Sequence, residues 1–150
     1  ERVLEQARLS AQVTHIHLDG IAGAVAVALA AALVWRGVVG LELLKRVFEL
    51  TPPGLTRDRI GLALRLPPDT ALSHVVKSLG SGSDVLSSDT VPYTIWCAAY
   101  FGNDFEEAMW RTVEGLGDRD TTCAIVGGIL GASRDLPEGW WDCCEALPAL

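Results

Sequence analysis

Apolar positions recur at three- and four-residue spacing along most of the chain, and two-residue alternation is scarce. That is the pattern of helices that bury one face, not of half-buried strands. The opening ERVLEQARLS reads as a short helix running into Ala11–His15. Asp19 is placed to cap a long helix through Trp35, where Gly20, Gly23 and recurrent Ala suit close approach of a neighbouring backbone. Val38–Leu50 sets Val39, Leu41, Leu43, Leu44, Val47 and Phe48 at helical spacing, and Thr51-Pro52-Pro53-Gly54 stops it.

Asp58–Leu66 is a short amphipathic segment closed by Pro67-Pro68, and Asp69 is the expected N-cap of a helix over Thr70–Leu79. Gly80-Ser81-Gly82-Ser83 is a loop. Ser88 or Asp89 then caps a helix over Val91–Phe101 with Pro92 in its first turn. Asn103-x-x-Glu106 has the form of a capping box for Asp104–Glu114, whose apolar face is Phe105, Met109, Trp110 and Val113 and whose stop is Gly115. A further helix runs from Arg119 or Asp120 to Leu130, and a last one covers Glu138–Leu147. No internal repeat or low-complexity tract interrupts this order. The pattern predicts an all-α fold, a multi-helix bundle with short connections.

Composition narrows the partners more than the fold. With 49% hydrophobic residues the chain is neither disordered nor fibrous. A 150-residue chain buries about 68–70% of its unfolded surface, so no disulfide staple is needed. Twelve Lys plus Arg against 19 Asp plus Glu leave a formal charge of −7, which disfavours nucleic acid as a partner, since binding there rests on basic side chains displacing counterions. An anionic ligand remains compatible if helix N-termini or a divalent cation supply the local positive charge. Cys97, Cys123, Cys143 and Cys144 contain no C-x-x-C pair and read as small buried hydrophobes in a reducing cytoplasm. The most apolar run, Ile21–Trp35, has 15 residues. A bilayer crossing takes roughly 18–20, so a buried helix and no membrane span are expected. The charged start is not that of a secretory signal.

The chemistry-bearing segment is Gly117-Asp118-Arg119-Asp120-Thr121-Thr122, ahead of the apolar helix Cys123–Leu130. Acidic residues at a helix start serve as caps and dipole complements worth about 0.3–1 kcal/mol each. The same segment also concentrates hard oxygen donors, Asp118, Asp120 and Thr121, of the kind that ligate Mg²⁺ or Mn²⁺. The D-x-D-x-T phosphatase motif of haloacid dehalogenases needs a buried strand before its first Asp, whereas Val113–Gly117 is a helix end and a turn. An EF-hand fails too: counted from Asp118, its sixth position would be Cys123 and its twelfth Ile129. Gly127, Gly128 and Gly131 form no G-x-G-x-x-G and follow no strand. Each costs a helix about 1 kcal/mol relative to Ala, which suggests tight helix contact.

The run GLGDRDTTCAIVGGILGA, followed by LPEGW, resembles the C-terminal signature of the ADP-ribosylglycohydrolases. Thr14-His15, the Gly80–Ser83 loop, and Ser88-Asp89-Thr90-Val91-Pro92 with Trp96 resemble further motifs of that family in the same order, over roughly residues 8–148. The resemblance implies the family's orthogonal multi-helix bundle and a site for two Mg²⁺ or Mn²⁺ ions. The implied activity removes ADP-ribose from a modified side chain, or cleaves a related ADP-ribosyl bond, so the partner is an ADP-ribosylated protein or a small ADP-ribosyl compound. By position, Asp118, Asp120 and Thr121 would be metal ligands, His15 would contact the ribose or diphosphate, and Gly82 and Ser83 would approach the nucleoside half. All of them are expected around one cleft, and no catalytic residue is assigned. Arg119 stands where the family usually has Thr, and the Ser133–Leu136 connection is short. The Thr-Asp-Asp metal motif of the family's N-terminal half does not occur. The chain is therefore expected to be the C-terminal part of such a domain, inactive alone, with an uncovered apolar face including Ala22, Ala26, Ile125 and Ile129. The competing reading is a non-catalytic ADP-ribose-binding or scaffolding module.

Overall fold

The computed structural model describes residues 1–143, 145 and 146, and among these the chain forms eight α-helices and no strand. They are α1 (Arg2–Gln12), α2 (Leu18–Trp35), α3 (Gly40–Leu50), α4 (Leu55–Ala63), α5 (Leu72–Leu79), α6 (Ser87–Phe101), α7 (Phe105–Val113) and α8 (Arg119–Leu130). The all-α fold read from apolar spacing is the fold observed.

The bundle is assembled around α6, in which every residue from Ser88 to Ala99 is buried. A helix enclosed on all sides has no polar face to spare, and its threonines turn their hydroxyls back onto the backbone. Thr90 Oγ1 donates to Leu86 O at 2.9 Å and Thr94 Oγ1 to Val91 O at 2.8 Å, so burial leaves no orphaned donor. Helices α2, α3, α4, α5, α7 and α8 all pack against it. At its centre Trp96 stacks on Tyr93, meets Tyr100 and Phe101 edge-on, and donates its indole N–H to Leu66 O at 2.7 Å.

Helix α2 runs three residues beyond the apolar run of the sequence. Its 18 residues, with mean hydropathy 2.0, are long and apolar enough by length alone to cross a membrane. Half of them are buried in the molecule, and α2 packs against α1, α3, α4, α6 and α8, as a core helix does. Ala22, Ala26 and Ala30 are fully enclosed. A Cβ on Gly23 would lie 2.7 Å from Ser87 Cβ, so glycine is what lets α6 approach. The expected uncovered apolar face is therefore corrected: Ala22, Ala26 and Ile129 belong to the core, and Ile125 is half-buried.

Several caps also differ from expectation. His17, not Asp19, caps α2, accepting from Asp19 N at 3.2 Å. Asp19 instead reaches α4, where its Oδ1 accepts Thr56 N at 3.1 Å. Helix α5 follows Ala71 with no side-chain cap, and α6 starts at Ser87 after Leu86, so Asp69, Ser88 and Asp89 do not cap. Asp104, rather than Asn103, caps α7 by accepting from Glu107 N at 3.1 Å. The expected helix over Glu138–Leu147 is a single 3-10 turn, Trp141–Cys143, preceded by Gly139 at φ 86°. Residues 144 and 147 lie outside the described residues. Of the described cysteines only Cys97 is fully buried; Cys123 is half-buried and Cys143 is exposed, and Cys144 is outside the described residues.

Candidate functional site

A cavity of about 710 Å³ follows one stripe of α2, where Gly20, Ala24, Val27, Ala28 and Ala31 succeed one another at helical spacing. From Gly20 to Ala31 that stripe rises about 16 Å. Small side chains leave a trough there, and Ala7 and Ala11 of α1, with Thr14 just after it, close one flank. Ile125 and Thr121 of α8 and Asp118 just before it also line it, together with Val85, Leu86, Ser87, Thr90 and Val91 around the start of α6. The N-terminal ends of α2, α6 and α8 thus meet at one end of an otherwise apolar trough. Each brings the positive end of its helix dipole.

His15 stands in the tight α1–α2 turn, with its backbone N–H bonded to Ala11 O at 2.8 Å. Its Nδ1 lies 2.7 Å from Thr14 Oγ1. The ring rests over the first turn of α2: a Cβ on Gly20 would be 3.2 Å from His15 Cδ2.

Asp118 is the N-cap of α8. Its Oδ1 accepts Thr121 N at 3.4 Å, and its carbonyl accepts the Thr122 N–H at 2.9 Å and hydroxyl at 2.8 Å. The Asp120 carboxyl within hydrogen-bond reach, and then the Thr121 hydroxyl, hold the Asp118 carboxyl below the usual carboxylate range. From the other side Asp118 N donates to Ser81 O at 3.0 Å. Gly82 packs directly beneath, where a Cβ would lie 2.9 Å from Asp118 Cβ.

The structure therefore brings His15, Asp118 and Thr121 to the wall of one cavity. Asp120 is exposed beside Asp118 and is not in the wall. Gly82 is buried behind Asp118, and Ser83 is exposed with its hydroxyl 3.3 Å from Ser81 Oγ, so neither lines the cavity. Ser87 and Thr90 do line it; Ser87 was not singled out from sequence and Thr90 only within a family motif, although the Gly23–Ser87 contact is foreshadowed by the glycine in α2. The oxygen donors Asp118, Asp120 and Thr121 suit a hard divalent cation but fill only part of its coordination shell. Among the described residues no group of three or more His, Cys, Asp and Glu side chains gathers at one point. A second cavity, of about 720 Å³, lies between Trp35, Asn103–Phe105 and Ala132–Asp135 and contains none of these residues.

Comparison with known proteins agrees with the motif order. The profile of the ADP-ribosylglycohydrolase family matches residues 1–150. An uncharacterized protein of Archaeoglobus fulgidus is 36% identical over 138 residues, covering 89% of this chain and 44% of its own length. ADP-ribosylhydrolase ARH3 of Mus musculus is 29% identical, covering 94% of this chain and 47% of its own length; that of Bos taurus is also 29% identical, at 93% and 47%. The chain thus spans about half the length of these relatives. No solved structure matches it significantly. The family profile covers the chain from end to end, and the chain belongs to the ADP-ribosylglycohydrolase family.

Proposed function

We propose that this chain provides the ADP-ribose-binding wall and one set of metal ligands of a divalent-cation-dependent ADP-ribosyl hydrolase. The observation that carries the reading is the convergence of His15, Asp118 and Thr121 on one cavity at three helix N-termini, beside an apolar trough. An ADP-ribosyl group has matching parts. Its diphosphate suits the positive ends of α2, α6 and α8, and its planar base suits the Ala-lined trough. Ligand cavities typically measure about 300–1,000 Å³, a range that includes this one. With Nδ1 engaged by Thr14, His15 turns Nε2 to the ribose or diphosphate. Gly82 and Ser83 act from behind, through the loop that supports Asp118.

Asp118, Asp120 and Thr121 would hold Mg²⁺ or Mn²⁺, which neutralises diphosphate charge and polarises ribose hydroxyls when bound. As ligands, both carboxylates are committed. No further acidic pair stands in the cavity wall to act as general acid or base. Turnover therefore requires residues from the part of the longer relatives that this chain does not span. The substrate is an ADP-ribosylated side chain or a small ADP-ribosyl compound, as the name of the mouse and cattle relatives suggests.

The test compares hydrolysis of an ADP-ribosylated peptide by the chain alone and by a protein in which it is joined to the remaining half of the domain, each with Mg²⁺ and with chelator. Turnover only by the joined protein, abolished by chelator and by Asp120→Asn, is the expected result. Metal-dependent turnover by the chain alone would place the complete machinery within its 150 residues and contradict the half-site. Binding of ADP-ribose with no turnover by either would leave the binding-module reading standing instead.

A further inference from the structure

A buried carboxylate outside the cavity wall connects α4 to the segment that carries Asp118. Asp89, on α6, is only 6% exposed, and neither the cavity nor the donor set of the site includes it. Its Oδ2 accepts the Asp84 N–H at 2.9 Å, and its backbone carbonyl accepts the Gly82 N–H at 3.1 Å. Both bonds close the Gly80–Asp84 loop onto the first turns of α6. Gly80, at φ 90°, has no room for a Cβ against the Asp89 carbonyl and carboxylate. On its far side the same loop presents Ser81 O to Asp118 N at 3.0 Å and sets Gly82 against Asp118 Cβ.

Among the described residues the buried carboxylate has one cationic neighbour. Arg59 of α4 places Nη1 at 3.7 Å from Asp89 Oδ1 and donates from the same nitrogen to Ser88 O at 2.9 Å. Burying a carboxylate is costly unless it is paired and hydrogen-bonded. The fold meets that condition with a guanidinium on one side and a loop amide on the other. The cap of α6 does not need Asp89, since the helix begins after Leu86. Retaining a charge there is accounted for by the loop it closes.

We infer that Asp89, oriented by Arg59, is a positioning residue for the metal-binding end of α8: it fixes the Gly80–Asp84 loop, whose Ser81 carbonyl in turn fixes the Asp118 backbone. This inference rests on the proposed role of Asp118 as a ligand only for its functional consequence, and its geometric part stands apart from that role.

The test reads both parts in the intact chain. Amide hydrogen exchange by NMR follows Asp84, Gly82 and Asp118, while Mn²⁺ affinity is followed by electron paramagnetic resonance. Asp89→Ala should speed exchange at Asp84 and, across the loop, at Asp118, with core amides of α3 unchanged, and should weaken Mn²⁺ binding about tenfold. Asp89→Asn keeps an oxygen acceptor for Asp84 N and should restore most of the protection at Asp118. Arg59→Met, which leaves the loop sequence intact, should reproduce the loss in weaker form and serves if Asp89→Ala does not fold. Unchanged exchange at Asp118 in both Asp89→Ala and Arg59→Met would overturn the inference. So would full Mn²⁺ affinity in these variants alongside its loss in Asp118→Asn, a result that leaves the proposed function intact. If the wild-type chain, which supplies only part of the coordination shell, binds no Mn²⁺ by itself, the exchange data alone decide the positioning.

Discussion

Asp118 performs two tasks with one carboxylate, capping α8 and facing the cavity. Its depressed pKa fixes the sign of a pH effect. A carboxyl lowered in the folded state contributes stability above its unfolded pKa and loses it as the pH falls through the folded value. Asp118→Asn should therefore lower the melting temperature at neutral pH, and the gap from wild type should close on acidification below the ordinary carboxylate range. A gap that widens toward acid would contradict the hydrogen bonds assigned to that carboxyl. Gly23 permits a different test, because a Cβ there would sit 2.7 Å from Ser87 Cβ. Gly23→Ala should destabilise by about 1–3 kcal/mol in urea unfolding, since overpacking outweighs the helix propensity gained. At Cys97 burial pushes the thiol up to about 12. Alkylation at mildly alkaline pH, read by mass spectrometry, should modify exposed Cys143 and spare Cys97 until the protein unfolds.

Among the elements, apolar spacing locates α1 to α8, because the core that buries those positions in α2 to α8, and half-buries Leu4, Ala7 and Ala11 of α1, is the same one that makes the helices stable. The starts are less legible. A cap is read from local sequence, but Asp19 and Asp89 are drawn into tertiary contacts, with Thr56 of α4 and with the Gly80–Asp84 loop, so other residues take the N-cap positions. Thr56 and Ser87 complete that junction, their hydroxyls 3.1 Å apart and Ser87 Oγ donating to Asp19 O at 2.7 Å. Asp19→Ala should thus loosen α4 rather than α2: amide exchange at Thr56 should rise by the loss of about 1 kcal/mol of local stability. Fraying confined to the first turn of α2 would restore Asp19 as its cap. Glu138–Leu147 differs in another way: among its described residues the one helical piece is the 3-10 turn Trp141–Cys143, preceded by Gly139 at φ 86°.

For the whole molecule, motif order revealed the family because its oxygen donors and glycines fall in sequence at recognisable spacing. It could not show how α2, α6 and α8 bring their N-termini to one cavity, since that depends on the packing of small side chains across three helices. Nor could it separate the wall from its support, so Gly82 and Asp118, in contact with each other, fall on opposite sides of that division. In the proposed function this convergence is an ADP-ribose site. NMR chemical-shift mapping of the chain titrated with ADP-ribose in the presence of Mg²⁺ tests it most directly. Saturable shifts are expected at Thr14, His15, Ser87, Thr90, Asp118 and Thr121, lost in Asp118→Asn. Shifts centred instead on Trp35, Asn103 and Asp135, or none at millimolar ligand, would contradict it.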